Sequence, residues 1–316
     1  MANIHSIAEI SKNATVVEID FGRQISNTDY CRPGSSRDTE SRLEQETSKS
    51  ACIPSNFQKI YISSNNKKNW KVTVHGINNR VFNEMQQSML CNGIHASLYK
   101  NVYKLNYERS TIIQEYAMPI IMNGKDIIAR TQNGSGKTTA IAISILDVLL
   151  KNFSEINVDS HRSDPLAIIV VPTKQRVQHI YNVIHRLSEN TSIECGPLFN
   201  KSLSDQKNKI QKGVHIIIAT PENLVGFVSQ DLITFTALRI IVFDEADVLL
   251  TAGFKPEIEF ILNNKTMVST DKRTTVLFST SMIDAVEQLA MTYLKPNYVS
   301  VDIKEIKEAA DITQTI

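Results

Sequence analysis

The sequence is poor in cysteine, and its four cysteines, Cys31, Cys52, Cys91 and Cys195, stand far apart. With no C-x-x-C pair, a thiolate metal site is not expected, and scattered thiols suit a reducing compartment. Apolar runs are short, and none reaches the ~18 residues that a membrane helix needs. The opening stretch MANIHSIAEISKNATVVEID lacks the basic start and apolar core of a secretory signal. An excess of positive charge is missing too: 34 Lys and Arg face 33 Asp and Glu, a formal net charge of +1. A protein that grips nucleic acid mainly by charge would be far more basic, so composition lends no support to such binding. These absences leave a cytoplasmic or nuclear globular protein as the expectation, with no membrane partner.

The chain has 316 residues, 42% of them hydrophobic and 21% charged, enough to bury a proper core in one large or two modest domains. Residues 1–70 have a different texture. The stretch NTDYCRPGSSRDTESRLEQETSKS is polar and rich in Ser and Thr, and it cannot bury enough surface to offset its ordering entropy. A disordered tail is expected there. From Lys71 the pattern changes. KVTVHG reads as a short strand, and residues 83–106 read as a helix with Leu90, Ile94, Leu98 and Val102 at four-residue spacing. Buried strands are predicted at 126–130, 166–171, 214–219, 238–243, 274–279 and 298–301, with helices at 138–151, 174–188, 201–212 and 282–293 and an exposed loop at 152–165. Continuous apolar strands separated by helices predict an α/β fold, a parallel sheet covered on both faces. Ligands of such sheets bind beyond the carboxyl ends of the strands.

The strongest single signal is TQNGSGKT, Thr131 to Thr138, set between a predicted strand and a predicted helix. That is the context a phosphate-binding loop requires. Gly134 and Gly136 let the backbone turn its N–H groups toward a phosphate, and the helix N-terminus favours negative charge. Lys137 would neutralise β- and γ-phosphate oxygens, and Thr138 would offer its hydroxyl to Mg²⁺. Further on, IIVFDEAD (240–247) places Asp244 and Glu245 just past a buried strand. Asp244 would hold Mg²⁺, and Glu245 would orient and deprotonate an attacking water. A guanine reader of the N-K-x-D type is missing, since NNKTM (263–267) has no aspartate.

GSGKT at 134–138, ATP at 219–221, DEAD at 244–247 and STS at 279–281 follow the order and spacing of DEAD-box RNA helicases. NYERSTIIQ (106–114) resembles that family's adenine-reading Q motif, and the stretches at 71–78 and 227–254 look most like its Vasa-like branch. The resemblance runs from Lys71 to Ile316. It implies a RecA-like P-loop NTPase domain at 123–303, a flanking segment carrying the Q motif at 71–122, and ATP with Mg²⁺ as cofactors. By the same resemblance Gln114 reads the adenine edge, Tyr107 stacks on the base and Thr111 fixes the loop. Thr131, Gln132, Asn133 and Ser135 complete the phosphate cradle. Ser279 and Ser281 bond near Asp247 and couple nucleotide state to lobe closure. Pro172, Thr173, Thr220 and Pro221 would face RNA.

Several positions depart from the family's pattern. Thr131 and Asn133 replace Ala and Thr in the phosphate loop, and Met89 stands where an isolated Phe is expected. P-T-R-E-L becomes PTKQR (172–176), a Gly-Gly turn becomes Phe199-Asn200, and T-P-G-R becomes TPEN (220–223). Each lost ionic contact is worth ~1.5–3 kcal/mol, so two or three losses weaken RNA binding by several decades. The last residues, ADITQTI, resemble the start of an interlobe linker spanning 304–316. The chain is expected to stop where a second lobe would begin. That lobe carries an arginine finger worth ~10³–10⁵ in rate, so very slow turnover is expected. A protein partner, or a second lobe supplied in trans, is a further expectation.

Overall fold

A computed structural model describes residues 17–18, 70–107, 109–152, 163–199, 210 and 213–305. The expectations of a disordered tail, of a helix at 201–212, of an exposed loop at 152–165 and of an interlobe linker fall largely outside these residues.

Nine strands form one sheet. They are β1 (Val17–Glu18), β2 (Trp70–His75), β3 (Ile127–Arg130), β4 (Ala167–Val170), β5 (Cys195–Leu198), β6 (Ile216–Ala219), β7 (Ile240–Phe243), β8 (Thr274–Ser279) and β9 (Val299–Glu305). Their spatial order is β1-β2-β9-β3-β8-β7-β4-β6-β5. All neighbours from β9 across to β5 pair in parallel. The sheet is nevertheless mixed, because β2 runs antiparallel to β9 and β1 antiparallel to β2. The sequence explains why β2 differs. It alternates, with Val72 and Val74 buried between half-buried or exposed Lys71, Thr73 and His75, which is the signature of a strand covered on one face. β4, β6 and β7 read as unbroken apolar runs because both of their faces are covered.

Nine helices surround the sheet among the described residues: α1 (Asn79–Asn92), α2 (Ala96–Lys104), α3 (Ile112–Met122), α4 (Lys137–Asn152), α5 (Lys174–Leu187), α6 (Pro221–Ser229), α7 (Ala246–Thr251), α8 (Lys255–Leu262) and α9 (Asp284–Tyr293). Successive strand residues point to opposite faces. Ile127, Ala129, Ala167 and Ile169 join the core under α1–α5, whereas Ile128, Ile168 and Val170 join the core under α6–α9. None of these helices is long and apolar enough to cross a membrane.

Two local predictions change. The single helix expected over 83–106 breaks at Gly93, which takes a φ of +61° and donates its N–H to the Met89 carbonyl at 2.9 Å. The break is held by α4: the His95 N–H donates to Asp147 Oδ1 at 2.7 Å, and Lys151 Nζ donates to the Gly93 carbonyl at 2.7 Å. β5, sequence CGPL, was not expected from its pattern; Pro197 is tolerated because β5 is an edge strand.

One buried aspartate fixes the sheet around β3. Asp126 is 1% exposed. Its carboxylate accepts the Thr275 N–H at 2.9 Å and the Lys295 N–H at 2.8 Å, and lies 3.3 Å from Lys295 Nζ. Arg130 then staples β3 to β9 by pairing with Asp302.

Candidate functional site

The site is built where β3 ends. Thr131 to Gly136 form a loop, and α4 starts at Lys137. Gly134 and Gly136 take φ angles of +77° and +98°, which side-chain-bearing residues rarely adopt. At Gly136 space matters as well. A Cβ there would lie 2.6 Å from Thr111 Oγ1 and 2.8 Å from Gln114 Nε2. The start of α3 is thus packed directly on the loop. Gln114 accepts the Thr111 N–H through Oε1 at 2.9 Å and donates through Nε2 to the Gly136 carbonyl at 3.2 Å. Its amide bridges α3 and the loop.

Lys137 is 4% exposed. Its ammonium donates to the Thr131 and Gln132 carbonyls at 3.1 and 3.3 Å and to Asn133 Oδ1 at 3.4 Å. Burial lowers its pKa, and the negative charge of Asp244 opposes that shift. Thr138 follows in the first turn of α4, half-buried. Thr111 forms a capping box with Gln114 at the start of α3, whereas the hydroxyls of Thr131 and Ser135 are buried and have no hydrogen-bond partner among the described residues. A buried polar group without a partner costs ~1–3 kcal/mol. Two such groups in one loop point to a polar ligand that would bond them.

β7 is parallel to β3 with β8 between them, so its carboxyl end opens on the same edge. Asp244 is fully buried there, and Glu245 sits at φ +57°, a left-handed turn into α7. Asp244 Oδ1 accepts the Glu245 N–H at 3.1 Å. Its Oδ2 accepts two hydrogen bonds from Arg176, from Nε at 2.9 Å and Nη2 at 2.6 Å. Arg176 Nε also lies 3.5 Å from Glu245 Oε1. Asp244, Arg176, Glu245 and Asp247 all act electrostatically on Lys137, so loop and acidic segment meet at one place.

Asp247 Oδ2 accepts from Thr280 Oγ1 at 2.5 Å, the Ser281 N–H at 2.9 Å and Ser281 Oγ at 2.8 Å. Burial raises the Asp247 pKa, but the hydrogen bonds from Thr280, Ser281 and Ser279 outweigh it, and the net shift is downward. Ser279 donates to the Ser281 carbonyl at 2.5 Å. Thr280 therefore shares with Ser281 the grip on Asp247, a role not foreseen for it.

Beside the loop lies a cavity of about 360 Å³, lined by Trp70, Thr111, Gln132, Asn133, Ser135 and Ile303 among others. Trp70 is brought there by the antiparallel pairing of β2 with β9. Tyr107 does not line this cavity; it is half-buried against the core under α1–α5. Met89 is buried in that same core, and Phe82, two turns earlier on the same face of α1, stacks on Tyr116 at 5.2 Å.

The residues proposed to face RNA follow β4 and β6, which are neighbours. Pro172 is buried, and Thr173 caps α5 by accepting the Arg176 N–H at 3.2 Å. Thr220 stands at the N-cap position of α6 with no side-chain bond to the helix backbone, accepts from Asn223 Nδ2 at 2.6 Å, and is followed by Pro221 in the first helical position. Glu222 is exposed. Phe199 is half-buried against the core, and Asn200 lies outside the described residues.

A mostly parallel sheet with a glycine-rich loop after one strand and paired acids after a nearby one defines a RecA-like α/β fold. Residues 111–289 match the DEAD/DEAH box helicase family, more than half of the chain, and the chain belongs to that family. It is 32% identical over 221 residues to the probable ATP-dependent RNA helicase vasa-like of Penaeus vannamei, covering 69% of this chain and 31% of that one. It is 34% identical over 233 residues to the probable ATP-dependent RNA helicase DDX4 of Pelophylax lessonae, covering 73% and 32%. The RNA-helicase Prp28 from Chaetomium thermophilum bound to ADP matches with a TM-score of 0.60 at 28% identity, over 68% of this chain and 50% of that one. The yeast DEAD-box splicing factor Prp28 matches in fold with a TM-score of 0.62 at 24% identity, over 68% and 51%. The chain thus spans about a third of the length of these curated relatives.

Proposed function

We propose that this chain is the ATP-binding lobe of an ATP-dependent RNA helicase. The observation that supports this most is the conjunction at the loop: Lys137 faces its carbonyls, the Thr131 and Ser135 hydroxyls lack partners, and the Asp244–Glu245 pair acts on the same ammonium. A triphosphate fits these groups. Its oxygens would accept from the loop N–H groups and from Ser135, and Lys137 would leave its carbonyl partners for the β- and γ-phosphates. The base would enter the cavity beside Trp70 and Thr111. When bound, Mg²⁺ would supply neutralisation of the phosphate oxygens, with Thr138 as one protein-side group and Asp244 as the other once it is released from Arg176. Glu245 would orient the attacking water and take its proton.

Two features separate nucleotide binding from helicase action. The segments proposed for RNA carry Phe199, Glu222 and Asn223, so RNA binding by this chain is weak. The residues that match cover 31–32% of the curated relatives' length, so unwinding is proposed for an assembly with a second lobe rather than for these residues alone. A second reading, a nucleotide-binding module without turnover that acts through a protein partner, is favoured by the ion pair between Arg176 and Asp244.

The test is ATP binding and RNA-stimulated ATP hydrolysis by the purified chain, with Lys137→Ala and Glu245→Gln as controls. Binding that Lys137→Ala abolishes, with turnover near background, supports the lobe. Robust RNA-stimulated turnover lost in both variants would replace it with an autonomous enzyme. Absence of any binding would end the nucleotide reading.

A further inference from the structure

Arg176 occupies an unusual place. In the pattern P-T-R-E-L, against which PTKQR aligns, this position is an apolar leucine. Here a guanidinium, with its side chain 21% exposed, reaches from the first turn of α5 to a carboxylate that is 0% exposed. Two of its donors share Asp244 Oδ2, and Nε faces Glu245 Oε1 at 3.5 Å. The side chain starts from a fixed point, because its own backbone N–H is bonded to Thr173 Oγ1 at 3.2 Å. Such a forked, charge-assisted pair is strong, and it occupies Oδ2, the oxygen that a cation would otherwise use.

Charge balance gives the consequence. Asp244, Glu245 and Asp247 carry three negative charges, and Lys137 and Arg176 carry two positive ones. With leucine at 176 the cluster would hold two net negative charges and would favour a divalent ion before accepting a polyphosphate. Arginine removes one of those charges, and does so at Asp244 and Glu245 themselves.

We propose that Arg176 is a resident cation of this site, standing in for the divalent ion at Asp244 and Glu245, so that the chain takes up adenine nucleotide with little dependence on Mg²⁺. The inference rests on the nucleotide-binding reading above. Fluorescently labelled ATP is titrated into the full chain, with excess MgCl₂ or with EDTA, for the wild type, Arg176→Leu and Arg176→Lys. The wild-type Kd changes by less than about threefold on removing Mg²⁺, whereas Arg176→Leu binds at least about tenfold more tightly with Mg²⁺ than with EDTA. Arg176→Lys keeps the charge and follows the wild type. Circular dichroism melts establish that each variant is folded. Should the leucine variant not fold, the wild type and Arg176→Lys decide. A second readout is electron paramagnetic resonance of Mn²⁺ with ATP. The wild type leaves the ion bound as by ATP alone, and Arg176→Leu immobilises it.

A wild-type Kd that rises tenfold or more in EDTA, as in the leucine variant, overturns the inference and leaves nucleotide binding intact. No binding by any protein in either buffer overturns both.

Discussion

Gly136→Ala is the sharpest test of how the site is assembled, because Gly134→Ala serves as its internal control. Both glycines have positive φ, +77° at Gly134 and +98° at Gly136. Placing alanine at such an angle costs about 1 kcal/mol or somewhat more. At Gly134 that is the whole cost, since nothing lies within 4 Å of the added Cβ. At Gly136 the same atom meets Thr111 Oγ1 at 2.6 Å and Gln114 Nε2 at 2.8 Å. Overpacking of this kind adds about 1–3 kcal/mol, because both side chains are fixed by their own contacts. Gly136→Ala should therefore lose about 2–4 kcal/mol and Gly134→Ala about 1 kcal/mol. Urea denaturation followed by circular dichroism measures both, with unchanged m-values showing that two-state comparison is valid. Equal losses in the two variants would refute the claim that the start of α3 rests on the phosphate loop.

Other consequences are equally concrete. Asp126→Ala strands the buried N–H of Thr275 and the half-buried N–H of Lys295 and should cost about 3–5 kcal/mol in the same denaturation assay. Asp302→Asn probes the staple between β3 and β9. Burial raises the Asp302 pKa, but pairing with Arg130 and Lys304 lowers it below the ordinary 3.8. A depressed carboxyl stabilises the fold above its ordinary pKa and loses that contribution as pH falls through the folded value. The stability gap between wild type and Asp302→Asn should be full at neutral pH and close as pH drops below 3.8. Trp70 is the sole tryptophan and lines the cavity. Its emission should change saturably on titration with ATP, and the change should vanish in Lys137→Ala; an unresponsive tryptophan would move the base out of this cavity.

Much of this architecture is legible in the chain itself. The apolar runs that became β4, β6 and β7 announce themselves because strands covered on both faces have no polar positions to interrupt them. TQNGSGKT carries its own local constraints, and so its turn can be read without a partner. What escaped lies in long-range pairing. The donor to Asp244 is 68 residues away in sequence, and nothing in PTKQR says that its arginine will turn inward. Trp70 belongs to a strand whose neighbour, β9, comes at the other end of the described chain. Gly93 did sit in the helical run, yet the break there is held by Asp147 and Lys151 of α4, which local periodicity cannot reveal. CGPL lacked the β-branched residues that mark the inner strands, and only its place at the sheet edge accommodates Pro197.

Calorimetric titration of ATP into the wild-type chain and Lys137→Ala bears most directly on the central claim. Saturable binding at one site, weakened at least about tenfold by the alanine, is the predicted result. Wild-type and variant isotherms that coincide, or a wild type that takes up no nucleotide, would contradict it.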